Sequence, residues 1–270
     1  MKDNNQIVAI VGGAGGLGLA TVIEFSKAGY EIIILDITQE KCLQAEAFLK
    51  SLGLPPPRLK VPVDIASAQS VKEAFEKIDS AHLTVNHLIN CAGVREVKMI
   101  FDLPPEEFMR VININLGGAY YCCQEASLRM KDSGGGSIVL VASVAGVSGL
   151  PFRPAYCASK HGIVGLTKNL ALDLGKHKIR VNVIAPGTIR TPMTDAYYSS
   201  QDFLDGLDEL VPLGSKAGRS EDVAKAALFL CSEGASFITG ACLVVDGGWS
   251  AGKSYAIGAK TPYTAAGSST

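Results

Sequence analysis

The sequence predicts a doubly wound α/β fold, with a central, mainly parallel sheet of seven strands between two layers of helices. Seven short runs rich in β-branched residues alternate with helix-sized intervals, as in βαβ units, at 6–11, 31–35, 59–63, 87–90, 137–142, 179–185 and 242–245. The runs are almost continuously apolar, as expected of strands that helices cover on both faces. We therefore expect a three-layer sandwich.

No change of composition along the 270 residues marks a second domain, so a single domain is expected over residues 1–250. The segment 188–217 is longer than an ordinary connection and is predicted to be a lid, with an acidic helix over 201–210. Small and hydroxylated side chains dominate residues 251–270. This tail is predicted to be flexible or to contact another subunit.

Charge and cysteine content exclude several classes of protein. The chain has 25 Lys+Arg against 26 Asp+Glu and no long basic run. It therefore lacks the clustered positive charge that binds nucleic acid or an anionic membrane. Seven scattered cysteines without a C-x-x-C and four histidines offer no metal set, so no metal is expected. No stretch reaches the roughly 18 apolar residues of a membrane span. A cytoplasmic protein with reduced thiols is predicted.

A glycine-rich turn follows the first predicted strand, in VGGAGGLG, and leads into an apolar-faced helix. A strand, a glycine turn and a helix N-terminus together present backbone N–H groups to a pyrophosphate, as in a Rossmann-type dinucleotide site. The turn fits G-x-G-x-x-G through Gly13, Gly15 and Gly18. It also fits G-x-x-x-G-x-G through Gly12, Gly16 and Gly18, and alone it does not choose between the two.

Asp36 ends the second predicted strand, 18 residues after Gly18. A carboxylate there can accept hydrogen bonds from the adenosine ribose hydroxyls and would repel a 2′-phosphate. Neither Gly15 nor Ile37 supplies the basic residue that such a phosphate needs. The predicted cofactor is therefore NAD(H), preferred over NADP(H).

Tyr156 and Lys160 stand at i and i+4 of a helix predicted after Pro154, and so share one face. A phenol ordinarily has a pKa near 10, and a nearby ammonium favours its ionised form. This pair is able to make Tyr156 a general base. Alone, Y-x-x-x-K is a weak signal, because Tyr and Lys recur at this spacing on many solvated helix faces.

Several further motifs follow one another in a specific order: Asn90-Cys91-Ala92-Gly93 after strand four, Ser143 about a dozen residues before Tyr156, and Pro186-Gly187 after strand six. With the glycine loop and the Tyr/Lys pair, they resemble the short-chain dehydrogenase/reductase family in its single-domain form of about 250 residues. The likeness runs from Ile7 to Gly248. Val11, Gly15 and Cys91 depart from the usual family residues.

The resemblance implies a catalytic set. Ser143 would hydrogen-bond the substrate oxygen, Tyr156 would transfer the proton, and Lys160 would lower the pKa of that tyrosine and hold the nicotinamide ribose. Asn115, rather than Asn113, matches the family asparagine that sustains a proton-relay water.

The resemblance also implies the cofactor-binding positions. They are Gly12, Gly15, Gly16, Leu17, Gly18, Asp36, Ile37, Asp64, Ile65, Asn90, Ala92, Gly93, Tyr156, Lys160, Pro186, Gly187, Ile189 and Thr191. Two of them also have structural interpretations: Asn90 as a pin between strands, and Asp64 as the cap of a helix that begins near Ser67.

The leading hypothesis is an NAD(H)-dependent oxidoreductase that moves hydride between nicotinamide and a small-molecule substrate, a secondary alcohol or ketone on a moderately apolar or ring-bearing molecule. The alternatives are a non-redox cyclase or isomerase on the same scaffold, and an NAD-binding sensor or scaffold without turnover. Arg190 is the only basic residue in the first half of the predicted lid, so a highly anionic substrate is not expected. The family resemblance further implies a homotetramer or homodimer built on long helices at 104–130 and 154–175.

Overall fold

The computed structural model describes residues 6–213 and 217–252. Residues 214–216 of the predicted lid, and the predicted tail beyond Gly252, lie outside the described residues. In the described part, no helix is long and apolar enough to span a bilayer.

Seven strands form one sheet, and every neighbouring pair is parallel. The strands are β1 (Ile7–Val11), β2 (Glu31–Asp36), β3 (Leu59–Pro62), β4 (Val85–Asn90), β5 (Gly136–Val141), β6 (Ile179–Pro186) and β7 (Cys242–Val245). Their order across the sheet is β3-β2-β1-β4-β5-β6-β7. The predicted doubly wound, seven-stranded fold is therefore confirmed.

Eight α-helices connect these strands in the described residues. They are α1 (Gly16–Lys27), α2 (Gln39–Ser51), α3 (Ala68–Ser80), α4 (Pro105–Ile112), α5 (Gly118–Met130), α6 (Pro154–Leu174), α7 (Gln201–Leu210) and α8 (Ser220–Cys231). The first turns of α4 and α6 carry proline, whose fixed φ suits that position and which has no N–H to leave unpaired there. The predicted acidic helix at 201–210 coincides with α7.

Two apolar layers cover the sheet because alternate side chains of each strand point to opposite faces. Along β1, Val8 and Ile10 pack in the cluster formed with α1, α2 and α8. Ala9 and Val11 pack in the cluster formed with α3, α5 and α6. Both faces of the sheet are thus buried, which explains why the strands read as continuous apolar runs.

The order of strands reverses at β1, which pairs with β2 on one side and with β4 on the other. Connections from these strands therefore leave to opposite faces, and a crevice opens beyond their carboxyl ends. The fold directs the glycine turn after Val11 and the segment after Asn90 into this crevice.

The helix predicted over 104–130 is interrupted. Between α4 and α5 the backbone is π-helical over Asn113–Gly117, and Asn115 lies at its centre. A π-helical turn holds one extra residue, which rotates the following side chains relative to a regular helix. Periodicity alone did not indicate this change, because the flanking helices run straight into it.

Candidate active site

A cavity of about 660 Å³ lies at the carboxyl ends of the strands. Its wall contains most of the residues predicted for the cofactor and the reaction: Gly12, Gly15, Gly16, Leu17, Asp36, Ile37, Asp64, Ile65, Ala92, Gly93, Ser143, Tyr156, Pro186, Gly187, Ile189 and Thr191. Residues that are up to 179 positions apart in the chain are therefore brought together around one space.

Four predicted residues stand behind this wall. A Cβ atom on Gly18 would lie 1.9 Å from the Gly12 carbonyl oxygen, so this glycine serves the packing of the loop. The Asn90 side chain accepts a hydrogen bond from the Ala92 N–H at 3.1 Å and shapes the turn after β4. Asn115 and Lys160 are buried next to the cavity.

The wall also contains residues that were not among the predicted site residues: Val11, Ala14, Lys41, Gln44, Val63, Cys91, Val94, Ile114, Ala142, Pro192, Met193 and Thr194. Most of them adjoin predicted residues in the chain, so their place in the wall could have been predicted from that proximity. Lys41 is different, because it reaches the wall from the first turn of α2. It places a positive charge at the same end of the cavity as Asp36.

The glycine loop leaves open space where a pyrophosphate would lie. A Cβ atom on Gly15 would meet nothing within 4 Å, and one on Gly16 would meet only the Thr191 Cβ, at 3.9 Å. Gly12 has a φ of +72°, and its Cα lies so close to the Ala92 backbone that a side chain would clash. The loop at the N-terminus of α1 thus fits a phosphate group, with N–H groups and a helix dipole beside it.

Asp36 is fixed at the rim of this cavity. One carboxylate oxygen accepts a hydrogen bond from the Ala14 N–H at 2.9 Å, and the other accepts one from the Ile37 N–H at 2.8 Å. These bonds tie the end of β2 to the glycine loop. A carboxylate held this way keeps its remaining lone pairs for a hydroxyl donor in the cavity.

At the deep end of the cavity, Tyr156 and Ser143 face the same space. Burial raises the pKa of the Tyr156 phenol above its usual value, and the Ser143 hydroxyl and the positive charges of Arg95 and Arg153 offset only part of this effect. The Ser143 oxygen accepts a hydrogen bond from the Ala145 N–H at 3.1 Å, so its own proton remains available for donation.

Lys160 lies one helical turn after Tyr156, with its ammonium 5.5 Å from the centre of the phenol ring. Lys160 is 4% exposed, and its ammonium donates to the Val141 carbonyl oxygen at 2.8 Å. Burial lowers the pKa of Lys160 to about 8, and a partial opposing effect comes from Cys91. The sequence led us to expect Lys160 to depress the Tyr156 pKa, whereas the depressing charges found here are the two arginines.

Asn115 is buried, whereas its competitor Asn113 is exposed. Its side-chain oxygen accepts from the Val94 N–H at 2.8 Å, and its amide nitrogen donates to the Val94 carbonyl at 2.9 Å and to the Ser159 hydroxyl at 3.0 Å. The π-helical turn therefore clamps the loop after β4 against the start of α6.

Glu96 is a buried residue that sequence reasoning missed. It is 3% exposed, and its Oε1 accepts hydrogen bonds from the N–H groups of Ala155 and Tyr156 at the start of α6. Its other carboxylate oxygen is buried without a hydrogen-bond partner among the residues described. No periodic pattern marks a single carboxylate in a loop, so the sequence offered no signal for it.

The two thiols near the tyrosine show no sign of nucleophilic activation. Burial raises the pKa of Cys91 to about 11, which keeps it protonated at neutral pH. The Cys157 sulfur contacts the backbone of Leu150. His161 is exposed and its ring nitrogen contacts the Cys157 carbonyl oxygen. It therefore does not act as a base for either thiol.

Comparison with known proteins identifies the family. A family model described as enoyl-(acyl carrier protein) reductase matches residues 12–250. The chain belongs to the short-chain dehydrogenase/reductase family. This family of oxidoreductases uses nicotinamide cofactors, and the fit of the glycine loop to a phosphate group agrees with that.

Within the short-chain dehydrogenase/reductase family, three proteins illustrate the likeness. A 3alpha-hydroxysteroid dehydrogenase of Mediterraneibacter gnavus is 36% identical over 254 residues, which cover 92% of this chain and 98% of that protein. The 3-oxoacyl-[acyl-carrier-protein] reductase FabG of Thermotoga maritima is 34% identical over 249 residues, covering 92% and 99%. The structure of a 4-hydroxyisoleucine dehydrogenase complexed with NADH is 35% identical, with a TM-score of 0.84, covering 92% and 100%.

Proposed function

We propose that the protein is an NAD(H)-dependent oxidoreductase that interconverts a secondary alcohol and the corresponding ketone, with Tyr156 as the general acid/base. The observation that carries the proposal is the position of Tyr156. Its phenol faces the same cavity as Ser143 and the glycine loop, and Lys160 lies behind it. A sensor that only binds a nucleotide has no use for a phenol in this setting.

The chain's own groups would handle the proton. As the alcohol is oxidised, Tyr156 accepts the proton of the substrate hydroxyl, and in the reverse direction it returns that proton to the carbonyl oxygen. Ser143 donates a hydrogen bond to the same oxygen, where negative charge develops. When bound, the nicotinamide supplies the hydride acceptor or donor.

The roles of Lys160 and Asn115 follow from their contacts. The Lys160 ammonium donates to the Val141 carbonyl oxygen and has further N–H groups with which it would hold a ribose hydroxyl of the cofactor. Asn115 holds the Val94 backbone and thereby the wall of the cavity beside Gly93. A water molecule bound near these groups would connect the ammonium to solvent.

The preference for NAD(H) is supported by the fixed Asp36 carboxylate, which would repel a 2′-phosphate. Lys41 at the same end supplies an opposing positive charge, so the preference depends on which of the two groups lies nearer the ribose. The 4-hydroxyisoleucine dehydrogenase, whose structure contains NADH, supports the same assignment.

A homo-oligomer is proposed as well. Apolar side chains remain exposed on α4, α5 and α6, among them Met109, Tyr120, Leu128 and Leu172. Such helix faces are suited to contact with a second copy of the chain. Light scattering on the purified protein distinguishes a dimer or tetramer from a monomer.

The proposed reaction is tested with a panel of secondary alcohols and NAD⁺, and of ketones and NADH, followed by NADH fluorescence. We expect turnover of at least one pair, with lower efficiency when NADP(H) replaces NAD(H). If neither cofactor supports turnover of any member while NADH still binds, the oxidoreductase assignment is wrong. Equal or better efficiency with NADP(H) would contradict the cofactor assignment alone.

A further inference from the structure

Two arginines that are 58 residues apart meet beside the active-site tyrosine. Arg95 lies in the loop after β4, and Arg153 directly precedes α6. Both contact Tyr197: the Arg153 Nη2 donates to the phenol oxygen at 2.6 Å, and the Arg95 guanidinium lies 4.7 Å from the ring centre. Arg95 also donates to the carbonyl oxygen of Met193, which lines the cavity.

Neutral oxygens accept the hydrogen bonds of both guanidinium groups in the described residues. Arg153 donates to the carbonyls of Glu96 and Phe152 as well as to Tyr197. By contrast, Arg129 and Arg190 are paired with carboxylates. The two charges beside the cavity are therefore not neutralised by an ion pair within 4 Å in the described part of the chain.

Glu96 is the carboxylate nearest to these arginines in sequence, and it is engaged elsewhere. Its Oε1 binds the N–H groups at the start of α6, as described above. Two cations and one carboxylate leave the region with a net positive charge. Neither arginine lines the cavity itself, but Arg95 follows Val94 and donates to Met193, and both of these residues are part of the wall, so the charges lie close enough to attract an anion in the cavity.

The arginines lie at the reacting end of the cavity. Both positive charges act on the Tyr156 phenol, and Val94 and Met193, which flank the Arg95 contacts, form part of the wall. In the described residues neither guanidinium hydrogen-bonds to the glycine loop, where the cofactor phosphates are expected. Their charge therefore lies away from the glycine loop and beside the part of the wall that Val94, Tyr156 and Met193 form.

We propose that the substrate is a hydroxy acid or oxo acid, whose carboxylate is bound by Arg95 and Arg153 while its alcohol or carbonyl group faces Tyr156. This inference rests on the proposed oxidoreductase function and assigns its substrate class. The hydrogen bonds of the described residues engage Arg95 through Nη2 alone and Arg153 through Nη1 and Nη2, so the remaining N–H groups of the two guanidinium groups can donate to the oxygens of a carboxylate. The lid sequence alone pointed away from an anionic substrate because both arginines come from outside segment 188–217.

Matched pairs of acids and amides test this proposal with the full-length protein. The probes are lactate with lactamide, 3-hydroxybutyrate with 3-hydroxybutyramide, and mandelate with mandelamide, each assayed with NAD⁺. We expect kcat/KM to be about tenfold or more higher for the acid of the preferred pair, as one charge-assisted contact provides. Amides that match or exceed their acids, or turnover confined to neutral alcohols outside these pairs, would overturn the proposal.

Two variants and one control locate the effect. Arg95→Met and Arg153→Met should each lower the ratio of kcat/KM for the acid to kcat/KM for the amide about tenfold or more and leave the KM for NAD⁺ nearly unchanged. Because both charges also lower the Tyr156 pKa, each variant should change the kcat for acid and amide by a similar factor, which cancels in this ratio. Arg58→Met removes a guanidinium far from the cavity and should change none of these values. If the variants weaken acid and amide equally, the arginines only hold the Tyr197 segment and the proposal is wrong.

Failure of this inference is distinguishable from failure of the proposed function. A wild-type protein that turns over no alcohol or ketone at all contradicts the oxidoreductase assignment. A protein that turns over alcohols without favouring carboxylates contradicts only the substrate class.

Discussion

The Glu96 carboxylate accepts a hydrogen bond from the backbone N–H of Tyr156 at 3.1 Å, and the same oxygen accepts one from the Ala155 N–H at 2.9 Å. The residue before α6, Arg153, makes no side-chain cap of its own. Glu96 therefore caps this helix from a loop nearly 60 residues earlier, and it does so at the residue that carries the phenol. A negative charge at a helix N-terminus is also favoured by the helix dipole.

Loss of this cap should weaken the fold and misplace the phenol. Glu96→Ala leaves two buried N–H groups without an acceptor and should lower the free energy of unfolding by about 1–2 kcal/mol. The kcat should fall more than the KM rises, because Tyr156 loses its fixed position. Urea unfolding and steady-state kinetics measure the two effects.

Glu96→Gln is the matched control for this change. It keeps an oxygen acceptor and removes the charge, so its stability and kcat should lie between those of Glu96→Ala and the wild type. If Glu96→Ala keeps the wild-type stability and kcat, the Glu96 cap neither stabilises α6 nor positions Tyr156.

Alanine substitutions at two glycines of the same loop should differ in their effect on stability. Gly18→Ala places a Cβ 1.9 Å from the Gly12 carbonyl oxygen, so the loop must shift and both stability and NADH affinity should fall. Overpacking of this kind costs about 1–3 kcal/mol. Gly15→Ala meets no protein atom within 4 Å and should leave the thermal stability nearly unchanged, although its Cβ enters the space expected for the pyrophosphate. Thermal unfolding and NADH fluorescence titration measure both; a Gly18→Ala protein that matches Gly15→Ala would contradict the packing assignment.

Asp36 should control the choice between the two cofactors. Asp36→Ala removes the carboxylate that would face a 2′-phosphate, and the efficiency ratio of NADP(H) to NAD(H) should rise about tenfold or more. Lys41 then supplies the charge for that phosphate, so the double variant Asp36→Ala/Lys41→Ala should lose most of the gain. Kinetics with both cofactors give the ratio. An unchanged ratio in Asp36→Ala would place the ribose away from this residue.

The buried ammonium of Lys160 should lower the free energy of unfolding of the protein. Its pKa of about 8 in the folded protein lies below the roughly 10.4 expected in the unfolded chain, so the fold disfavours the ammonium. Below pH 8 the full penalty is present, and it declines as pH rises from 8 towards 10.4. Lys160→Met should therefore raise the free energy of unfolding at pH 7 by about 1 kcal/mol or more, even after loss of the Val141 bond.

The comparison is made on the cofactor-free proteins from pH 7 to pH 10 by urea unfolding. Lys168→Met, an exposed position on the same helix, serves as the control and should show no such difference. The stability gain of Lys160→Met should shrink with rising pH. A variant that is less stable than the wild type at pH 7 would mean that the ammonium stabilises the fold.

The fold could be predicted because its signals are local and repeated. Each strand, such as Ile7–Val11, carries its own apolar run, and the glycine loop follows it directly. The pair of Tyr156 and Lys160 was found because helical spacing relates them. In all of these cases neighbouring residues in the chain are also neighbours in space.

The rest of the site depends on contacts between distant loops. Arg95, Glu96 and Arg153 belong to no periodic pattern, and they meet only because β4 ends and α6 begins at the same edge of the sheet. Lys41 lines the cavity because the first turn of α2 lies beside it, and the sequence does not predict where that helix begins relative to the glycine loop. The charge around Tyr156 therefore became visible only in the folded chain.

The assignment of Tyr156 as the proton-transfer group is tested most directly by Tyr156→Phe. Single-turnover oxidation of the preferred alcohol and NADH binding are measured on the same protein, with Tyr120→Phe, an exposed position on α5, as the control. We expect the rate to fall by about 100-fold or more, the typical contribution of a general acid/base. The Kd for NADH should stay within about twofold of the wild type, a change worth only about 0.4 kcal/mol. Turnover that persists at the wild-type rate in Tyr156→Phe would contradict the account.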